Sequence, residues 1–189
     1  MGAELVEFAP VHDAHLPKDL DGILLYGGYP ELNGEALERN ESMKTEIAQA
    51  INSGMPCMAE CGGFMYLHEQ MEDMDGISRK TCGVIPGKCF RTPKLTRFGY
   101  ITLTAGQSVF GQKAEEIGEI PAHDFHYFDS EYCGKDFHAA KPLSKRGWDC
   151  IHSTDSLLAG YPHLYYYGNP GIPRAFLLKC MEYHKTGRI

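Results

Sequence analysis

Residues 56–63 read Pro-Cys-Met-Ala-Glu-Cys-Gly-Gly and decide the fold. The first part is a compact apolar run, short enough for a buried strand, and the glycine pair after it indicates a tight turn. Residues 64–68, Phe-Met-Tyr-Leu-His, can open a helix. The stretch therefore predicts a strand that turns sharply into a helix, with Cys61 on the turn.

The residues upstream repeat this alternation. Residues 4–9 alternate in polarity like a strand, and residues 22–26 form an apolar run stopped by Gly27 and Gly28. Apolar residues recur at helical spacing in residues 40–54. Strands that alternate with helices predict a parallel sheet with right-handed crossovers, in which ligands sit at the carboxyl ends of the strands.

Downstream of residue 81 the pattern changes toward strands. Residues 84–85, 100–104 and 125–128 are predicted strands, each bounded by glycine or proline, whereas residues 129–156 are polar and predicted to be irregular. Residues 173–184 carry apolar side chains at helical spacing after a proline, which predicts a closing helix.

Composition narrows the function classes. The 189 residues, 43% hydrophobic and 23% charged, suit one compact domain, residues 1–189. The net charge of −7 with scattered basic residues argues against a nucleic-acid partner, and no segment is long and apolar enough for a membrane span. Residues 1–10 hold two acids and no basic residue, which argues against a secretion signal. Seven cysteines without a Cys-x-x-Cys pair argue against a disulfide framework and a zinc site. We therefore expect a cytoplasmic protein with reduced thiols, no metal and a small-molecule partner.

Cys61 is the cysteine with a reason to react. A nucleophile on a strained strand-to-helix turn needs small neighbours, which Gly62 and Gly63 supply, and the positive end of the following helix would favour the thiolate. A buried structural cysteine beside a glycine turn is the alternative reading. The pattern alone leaves both open.

Two glycine turns are candidates for an oxyanion site. Backbone N–H groups near Gly27 and Gly28, with that of Gly62, could hold the charge that develops in acyl transfer. Read alone, Gly27 and Gly28 are also an ordinary turn after a strand. A dinucleotide fingerprint is absent from the sequence.

A cysteine nucleophile needs a base, and histidines are the candidates. His123 and His126 are three apart on a predicted strand, so they should face opposite sides and make a poor metal pair. The preferred interpretation is one buried structural histidine and one exposed histidine. His163 lies in an aromatic-rich run that could partly bury and orient its imidazole, although spacing alone favours packing over catalysis.

Six segments together resemble one enzyme family. The chain is similar to the glutaminase domain of the cobyric-acid-type class I glutamine amidotransferases, and within it to members that amidate the a and c carboxylates of a corrin precursor. The matching segments, in chain order, are residues 27–31 (Gly-Gly-Tyr-Pro-Glu), 59–63 (Ala-Glu-Cys-Gly-Gly), 83–87 (Gly-Val-Ile-Pro-Gly), 97–100 (Arg-Phe-Gly-Tyr), 123–127 (His-Asp-Phe-His-Tyr) and 159–166.

The resemblance implies a fold, a mechanism and partners. The fold would be α/β, a flavodoxin-like amidotransferase domain with a mostly parallel sheet flanked by helices. Cys61 would attack the carboxamide of L-glutamine, His163 would move the protons, and the N–H groups near Gly28 and Gly62 would hold the oxyanion. Ammonia would pass to a synthetase domain or subunit that holds the corrinoid substrate, ATP and magnesium, while the glutaminase domain itself would bind no cofactor. The role of Glu60 stays open, because a residue next to the nucleophile on a tight turn is expected to point away from it.

Two departures from the family pattern qualify the resemblance. The late motif, Ala-Ser-Tyr-x-His-x-His-Phe in the family, has Tyr165 in place of its second histidine. The family's domain also begins with a further strand and helix and follows an N-terminal ATP-binding synthetase domain, so we expect an N-terminally truncated glutaminase domain without that partner. The alternatives are the glutaminase of a related tetrapyrrole amidotransferase, either a nickel-sirohydrochlorin a,c-diamide synthase or a cobyric acid synthase, a cysteine hydrolase or chaperone-like protein of a related fold, and a non-catalytic fragment.

Overall fold

The computed structural model describes residues 2–95 and 97–186. Within these ranges the strands are β1 (Ile23–Leu25), β2 (Cys57–Glu60), β3 (His68–Glu72), β4 (Ser78–Lys80), β5 (Ile85–Arg91), β6 (Arg97–Ala105), β7 (Ile120–His126), β8 (Phe128–Ser130), β9 (Phe137–Ala140), β10 (Gly147–Cys150), β11 (His152–Ser153), β12 (Leu157–Gly160) and β13 (His163–Leu164). The helices are α1 (Gly34–Arg39), α2 (Glu41–Asn52), α3 (Gly62–Tyr66), α4 (Ala114–Ile117) and α5 (Gly171–Thr186), with a 3-10 helix at Pro30–Asn33.

The first sheet carries the predicted parallel strands. Its order is β1-β2-β12-β11; β1 and β12 pair with β2 in parallel and β11 pairs with β12 in antiparallel fashion. The register aligns Leu25 with Ala59 and Glu60 with Gly160. The carboxyl ends of β1, β2 and β12 therefore meet at one edge, where ligands of parallel sheets are expected.

Each face of the first sheet is buried in a different core. Cys57 and Ala59 of β2 face the core that contains Met43 and Ile47 of α2, whereas Met58 faces the core formed with α5 and the second sheet. All four residues of β2 are buried. This two-sided burial explains why the strand reads as a continuous apolar run.

Two further sheets surround this centre. The second has order β10-β9-β6-β7-β13 and is antiparallel throughout, and the third has order β4-β3-β5-β8 with β3 and β5 parallel. The predicted α/β architecture with a helix-flanked parallel sheet thus describes the centre of the molecule. The antiparallel strands come from the β-rich sequence after residue 81.

Several predicted elements are confirmed. Strands β1 and β2 lie inside the apolar runs before the glycine pairs, and α2 fills residues 41–52, where the Asn40 side chain accepts from the Met43 N–H at 3.4 Å. Gly54, with φ of +94°, follows the helix as predicted. The closing helix, α5, covers residues 173–184.

Other predictions are wrong. Residues 4–9 form no strand, because Leu5 and Val6 are exposed and no sheet edge pairs with them. Residues 129–156 are not irregular, because they contain β9, β10 and β11. Strand β9 pairs with β6 and with β10, and β11 pairs with β12. The helix expected over residues 64–68 ends at Tyr66, and His68 instead begins β3. Among the residues that the structure describes, no helix is both long and apolar enough to cross a bilayer.

Candidate active site

Cys61 occupies a strained turn at the carboxyl end of β2. Its φ of +50° and ψ of −107° lie in a region that residues with a Cβ rarely adopt, at a cost of about 1–3 kcal/mol. Its N–H donates to the Gly160 carbonyl at 2.9 Å, which ties the turn to the end of β12. The sharp bend predicted at Cys61 is therefore present.

Glycines let three backbone segments meet at this turn. A Cβ on Gly63 would lie 2.1 Å from the Leu25 carbonyl oxygen, and the Gly63 N–H donates to the Tyr26 carbonyl at 3.0 Å. A Cβ on Gly62 would lie 2.8 Å from the oxygen and 3.0 Å from the nitrogen of Gly28. The structure thus brings Gly28 and Gly62, both predicted for the oxyanion site, into direct contact.

The resting Cys61 side chain favours the thiol. Burial raises its pKa to about 11; the Gly62 N–H lowers the pKa, and the carboxyl groups of Glu31, Asp124 and Glu60 raise it. The thiolate expected from the positive end of the following helix is opposed in the resting site, because burial and then three acidic groups disfavour the negative charge. A reaction of this thiol as a nucleophile therefore requires a base.

His163 lies on β13, just beyond the end of β12. Its imidazole is half-buried, and burial, together with the charge of nearby His123, lowers its pKa, so the neutral form that can accept a proton is favoured. Gly27 packs against the ring: a Cβ there would lie 2.6 Å from Cε1 of His163. The predicted site residues Gly27 and His163 are thus in contact, at the strand edge that also carries Cys61.

Glu60, whose role the sequence left open, lies against His163 in the structure. The side chain is buried, and its Oε2 lies 3.8 Å from Nδ1 of His163 and accepts the Leu164 N–H at 3.4 Å. The hydroxyl of Tyr166 donates to Oε1. Glu60 therefore does not point away from the site, as the sequence suggested, but toward the imidazole. The one signal in the sequence was Tyr166, a hydroxyl where the family motif ends in phenylalanine.

The environment of Glu60 places its titration near neutrality. Burial raises the pKa of the carboxyl to about 7, although the hydrogen bonds from Tyr166 and Leu164 oppose the rise. When ionised, the carboxylate favours an imidazole whose Nδ1 carries the proton, which leaves Nε2 free to act as the base. The structure therefore places a buried acid against the imidazole, at the strand edge that also carries Cys61.

The other predicted histidines do not share this setting. His126 is buried, donates from Nδ1 to the Phe128 carbonyl at 2.5 Å and stacks on Tyr161 with ring centroids 4.0 Å apart. Its burial lowers its pKa to about 4. His123 points to the opposite side of β7, as predicted, and residues 2–95 and 97–186 contain no cluster of three or more His, Cys, Asp or Glu residues that could hold a metal ion.

Asp124 is a second buried acid and lies beside His126. Its Oδ1 lies 3.7 Å from Nε2 of His126, and burial raises its pKa to about 6. Neither carboxyl oxygen, nor Nε2 of His126, has a hydrogen-bond partner in the described part of the chain. Asp124 is thus an electrostatic neighbour of the Cys61 thiol, whose pKa it raises, and it takes no part in the Glu60–His163 contact.

Comparison with known proteins identifies the family of the chain. Residues 1–170 match the model of the CobB/CobQ-like glutamine amidotransferase domain. The chain is 34% identical over 187 residues to a cobyrinate a,c-diamide synthase of Caldanaerobacter subterraneus subsp. tengcongensis, covering 97% of this chain and 40% of that protein. It is 36% identical over 179 residues to the cobyrinate a,c-diamide synthase of Picrophilus torridus, covering 95% of this chain and 38% of that protein. The chain therefore spans about two fifths of the length of these relatives.

Solved structures agree on the fold. A crystal structure of a glutamine amidotransferase superposes with a TM-score of 0.60 at 15% identity, covering 87% of this chain and 81% of that one. The structure of PurLQS from Thermotoga maritima gives a TM-score of 0.50 at 15% identity, covering 85% of this chain and 79% of that one. The family match extends over the Cys61 turn, β12 and His163. The chain belongs to the CobB/CobQ-like glutamine amidotransferase domain family.

Proposed function

We propose that the chain hydrolyses L-glutamine with Cys61 as nucleophile and His163 as base. His163 takes the thiol proton while the Cys61 sulfur bonds to the carboxamide carbon, and the imidazolium then protonates the leaving nitrogen as the C–N bond breaks. Ammonia leaves, and a thioester remains. Water, activated by His163, adds to the thioester; glutamate departs and the thiol is restored.

One observation carries this proposal: the strained Cys61 turn and His163 follow the adjoining ends of β2 and β12, with Glu60 contacting the imidazole. The high pKa of the resting thiol fits a neutral imidazole that removes the proton only when glutamine is in place. Backbone N–H groups of Gly28 and Gly62 are proposed to hold the oxyanion. Removal of one such donor lowers turnover about 10²–10³-fold in other enzymes.

The acceptor of the ammonia is proposed from the relatives. They are cobyrinate a,c-diamide synthases, and three fifths of their length lies outside the match. We assign the ATP-dependent amidation of the a and c carboxylates of cobyrinate, a step of cobalamin biosynthesis, to a synthetase part that corresponds to this remainder. The present chain would supply ammonia to it.

We assign ATP and magnesium to the synthetase part rather than to this chain. The sequence holds no Gly-rich phosphate loop followed by Lys and Ser or Thr. The described residues bring together no metal-binding cluster. The supply of ATP and the need for a reduced Cys61 favour the cytoplasm as the place of reaction.

Glutamate release measures the proposed activity directly. Purified chain should convert glutamine to glutamate and ammonia, alone or with its synthetase part, and Cys61→Ala should abolish the reaction. His138→Ala, a change at an exposed histidine on β9, is the matched control. Absence of turnover in both the chain and the complex would contradict the proposal, and amidation assays with cobyrinate, nickel-sirohydrochlorin and the precursor of cobyric acid would identify the acceptor.

A further inference from the structure

An uncovered aromatic surface lies beside the candidate active site. We call it the aromatic face; it consists of Phe98 and Tyr100 of β6, His123 and Phe125 of β7, and Tyr127. The exposed fractions are 58% for Phe98, 78% for Tyr100, 43% for Phe125 and 51% for Tyr127. Exposed aromatic groups of this density mark interaction sites more often than ordinary surface does.

The register of the second sheet makes these rings contiguous. Phe98 is paired with Phe125, and Tyr100 with His123. Ring centroids are 5.8 Å apart for Phe98 and Phe125, 5.5 Å for Tyr100 and His123, and 5.9 Å for Phe125 and Tyr127. The opposite face of the same strands carries Ile101 and Ala122, which are buried in the core. One side of the sheet is thus sealed and the other presents rings to its surroundings.

The aromatic face continues into the catalytic side chain. His163 of β13 is paired with His123 of β7, so both side chains project from the same side of the sheet. A body that covers the aromatic face would therefore cover the side on which His163 stands. Ammonia released there would leave into the covering body rather than into water.

We propose that the aromatic face is the docking surface of the ATP-dependent synthetase part. This inference rests on the proposed glutaminase function and names the partner of its site. In the relatives, about three fifths of the length lies outside the match to this chain. A part of that length is large enough to cover the aromatic face. None of the four exposed members carries a formal charge, which matches the charge-poor, aromatic centre of protein interfaces.

The ring geometry favours a protein over a flat tetrapyrrole. Interplanar angles are 80° for Phe98 and His123, 66° for Phe98 and Phe125, and 88° for Phe125 and Tyr127. Only His123 and Phe125, neighbours on the same strand, are nearly parallel, at 16°. Rings that meet edge to face form a ridged surface, which protein side chains can interdigitate with, whereas a planar macrocycle stacks on a flat one. The occupant proposed is therefore an apolar protein surface.

Binding to the synthetase part tests the proposal. The probe is the polypeptide of the source organism that matches the part of the Caldanaerobacter relative left uncovered here, and its Kd for the chain is measured by titration calorimetry. The double variant Phe98→Ser/Tyr100→Ser should bind at least about tenfold more weakly than wild type, as expected for truncated aromatic anchors. Met181→Ser, an exposed apolar position of α5, is the matched control and should bind like wild type.

Two further readouts make the test decisive. Thermal unfolding and glutamate release by the isolated double variant should match wild type, because neither ring belongs to the catalytic group. Equal Kd values for wild type and the double variant, or no binding by wild type, would overturn the proposal. Two other results would also overturn the proposal. One is a dimer that the wild-type chain forms and the double variant does not; the other is binding of cobyrinate to the isolated wild-type chain that is lost in the double variant. Failure of glutamine hydrolysis with intact, ring-dependent binding would overturn the proposed function and leave the docking surface standing.

Discussion

The hydroxyl of Tyr166 donates a hydrogen bond to Oε1 of Glu60, the carboxyl group whose other oxygen faces His163. The two residues are 106 positions apart in the sequence. They meet because β12, which precedes Tyr166, pairs with β2, which ends at Glu60. A charge-assisted bond of this kind holds the ionised carboxylate in place and lowers its pKa.

Tyr166→Phe should move the acid limb of the pH profile upward. Burial already raises the pKa of Glu60 to about 7, and loss of the Tyr166 bond, which lowers it, should raise it further. A bond to a charged group is worth about 1.5–3 kcal/mol, or about one pKa unit or more. Glutamine turnover should therefore fall by about tenfold at pH 7 and converge with wild type near pH 9.

Tyr165→Phe is the control for this variant, since Tyr165 is exposed and makes no bond to Glu60 among the contacts described. It should keep the wild-type profile. A Tyr166→Phe profile that overlays the wild type would show that the hydroxyl does not act on the acid.

Glu60→Gln should change how stability depends on pH. The folded pKa of about 7 lies above the ordinary value of 4.5, so the folded chain binds a proton more readily than the unfolded chain. The contribution of Glu60 is therefore fully present below about pH 4.5 and is lost as pH rises to 7. The free energy of unfolding of the variant, relative to wild type, should rise by about 3 kcal/mol over that window.

Urea unfolding at pH 4.5 and pH 7.5 measures this difference, since the other titrating groups are common to both proteins. Glu35→Gln, the same change at an exposed carboxylate of α1, is the matched control for the substitution itself. A difference for Glu60→Gln that stays constant between the two pH values would contradict the raised pKa of Glu60.

Cys61 should be the cysteine that a glutamine-like electrophile labels. Cys61 and Cys133 are the two that are partly exposed among the seven, whereas Cys57 and Cys89 are fully buried. Because the Cys61 pKa is raised to about 11, labelling should accelerate with pH and depend on His163. Mass spectrometry of the labelled peptides identifies the site, with Cys133→Ala as control; equal labelling of Cys57 or Cys89 would refute the assignment.

The centre of the fold could be predicted from the sequence, because its elements are determined by residues that are close together in the chain. Strands β1 and β2 and helix α2 follow from apolar runs, helical spacing and glycine stops, and the Cys61 turn follows from Gly62 and Gly63. Strands β9 and β10 are not predicted from the sequence, because their pattern depends on partners distant in the chain: β9 pairs with β6, and β10 pairs with β9. Residues 4–9 alternate in the same way and have no such partner.

The same distinction between local signals and long-range pairing applies to the residues of the site. Cys61, His163 and the glycines lie in short motifs that can be recognised one at a time. The contact between Glu60 and His163 requires β2 and β12 to lie side by side, and no local signal encodes a pairing across 100 residues. From the local sequence, the side chain of Glu60, next to Cys61, is expected to point away from the site. The pairing of β2 with β12 directs it toward the imidazole of His163.

His163→Ala should lower glutamine hydrolysis by about 10²–10⁴-fold, the usual contribution of a general base. Because its pKa is lowered, His163 is neutral at rest, so its removal takes away a proton acceptor rather than a cationic neighbour of Cys61. The pKa of Cys61, followed by the pH dependence of alkylation, should therefore not rise from loss of charge. His138→Ala serves as control; near-full activity of His163→Ala would make His126 the next candidate.

Gly27→Ala should impair catalysis without unfolding the protein. The new Cβ would lie 2.6 Å from Cε1 of His163 and 3.5 Å from both ring nitrogens, so the half-buried imidazole must shift away from its position opposite Glu60. A displacement of about 1 Å in a catalytic group can cost about 10²-fold in rate.

By contrast, Gly63→Ala would drive a Cβ to 2.1 Å from the Leu25 carbonyl oxygen, a rigid backbone atom, and should lower the melting temperature as well. Glutamate release and thermal unfolding of the two variants separate these effects. Full activity of Gly27→Ala at unchanged stability would mean that the imidazole works from a position other than the one beside Glu60.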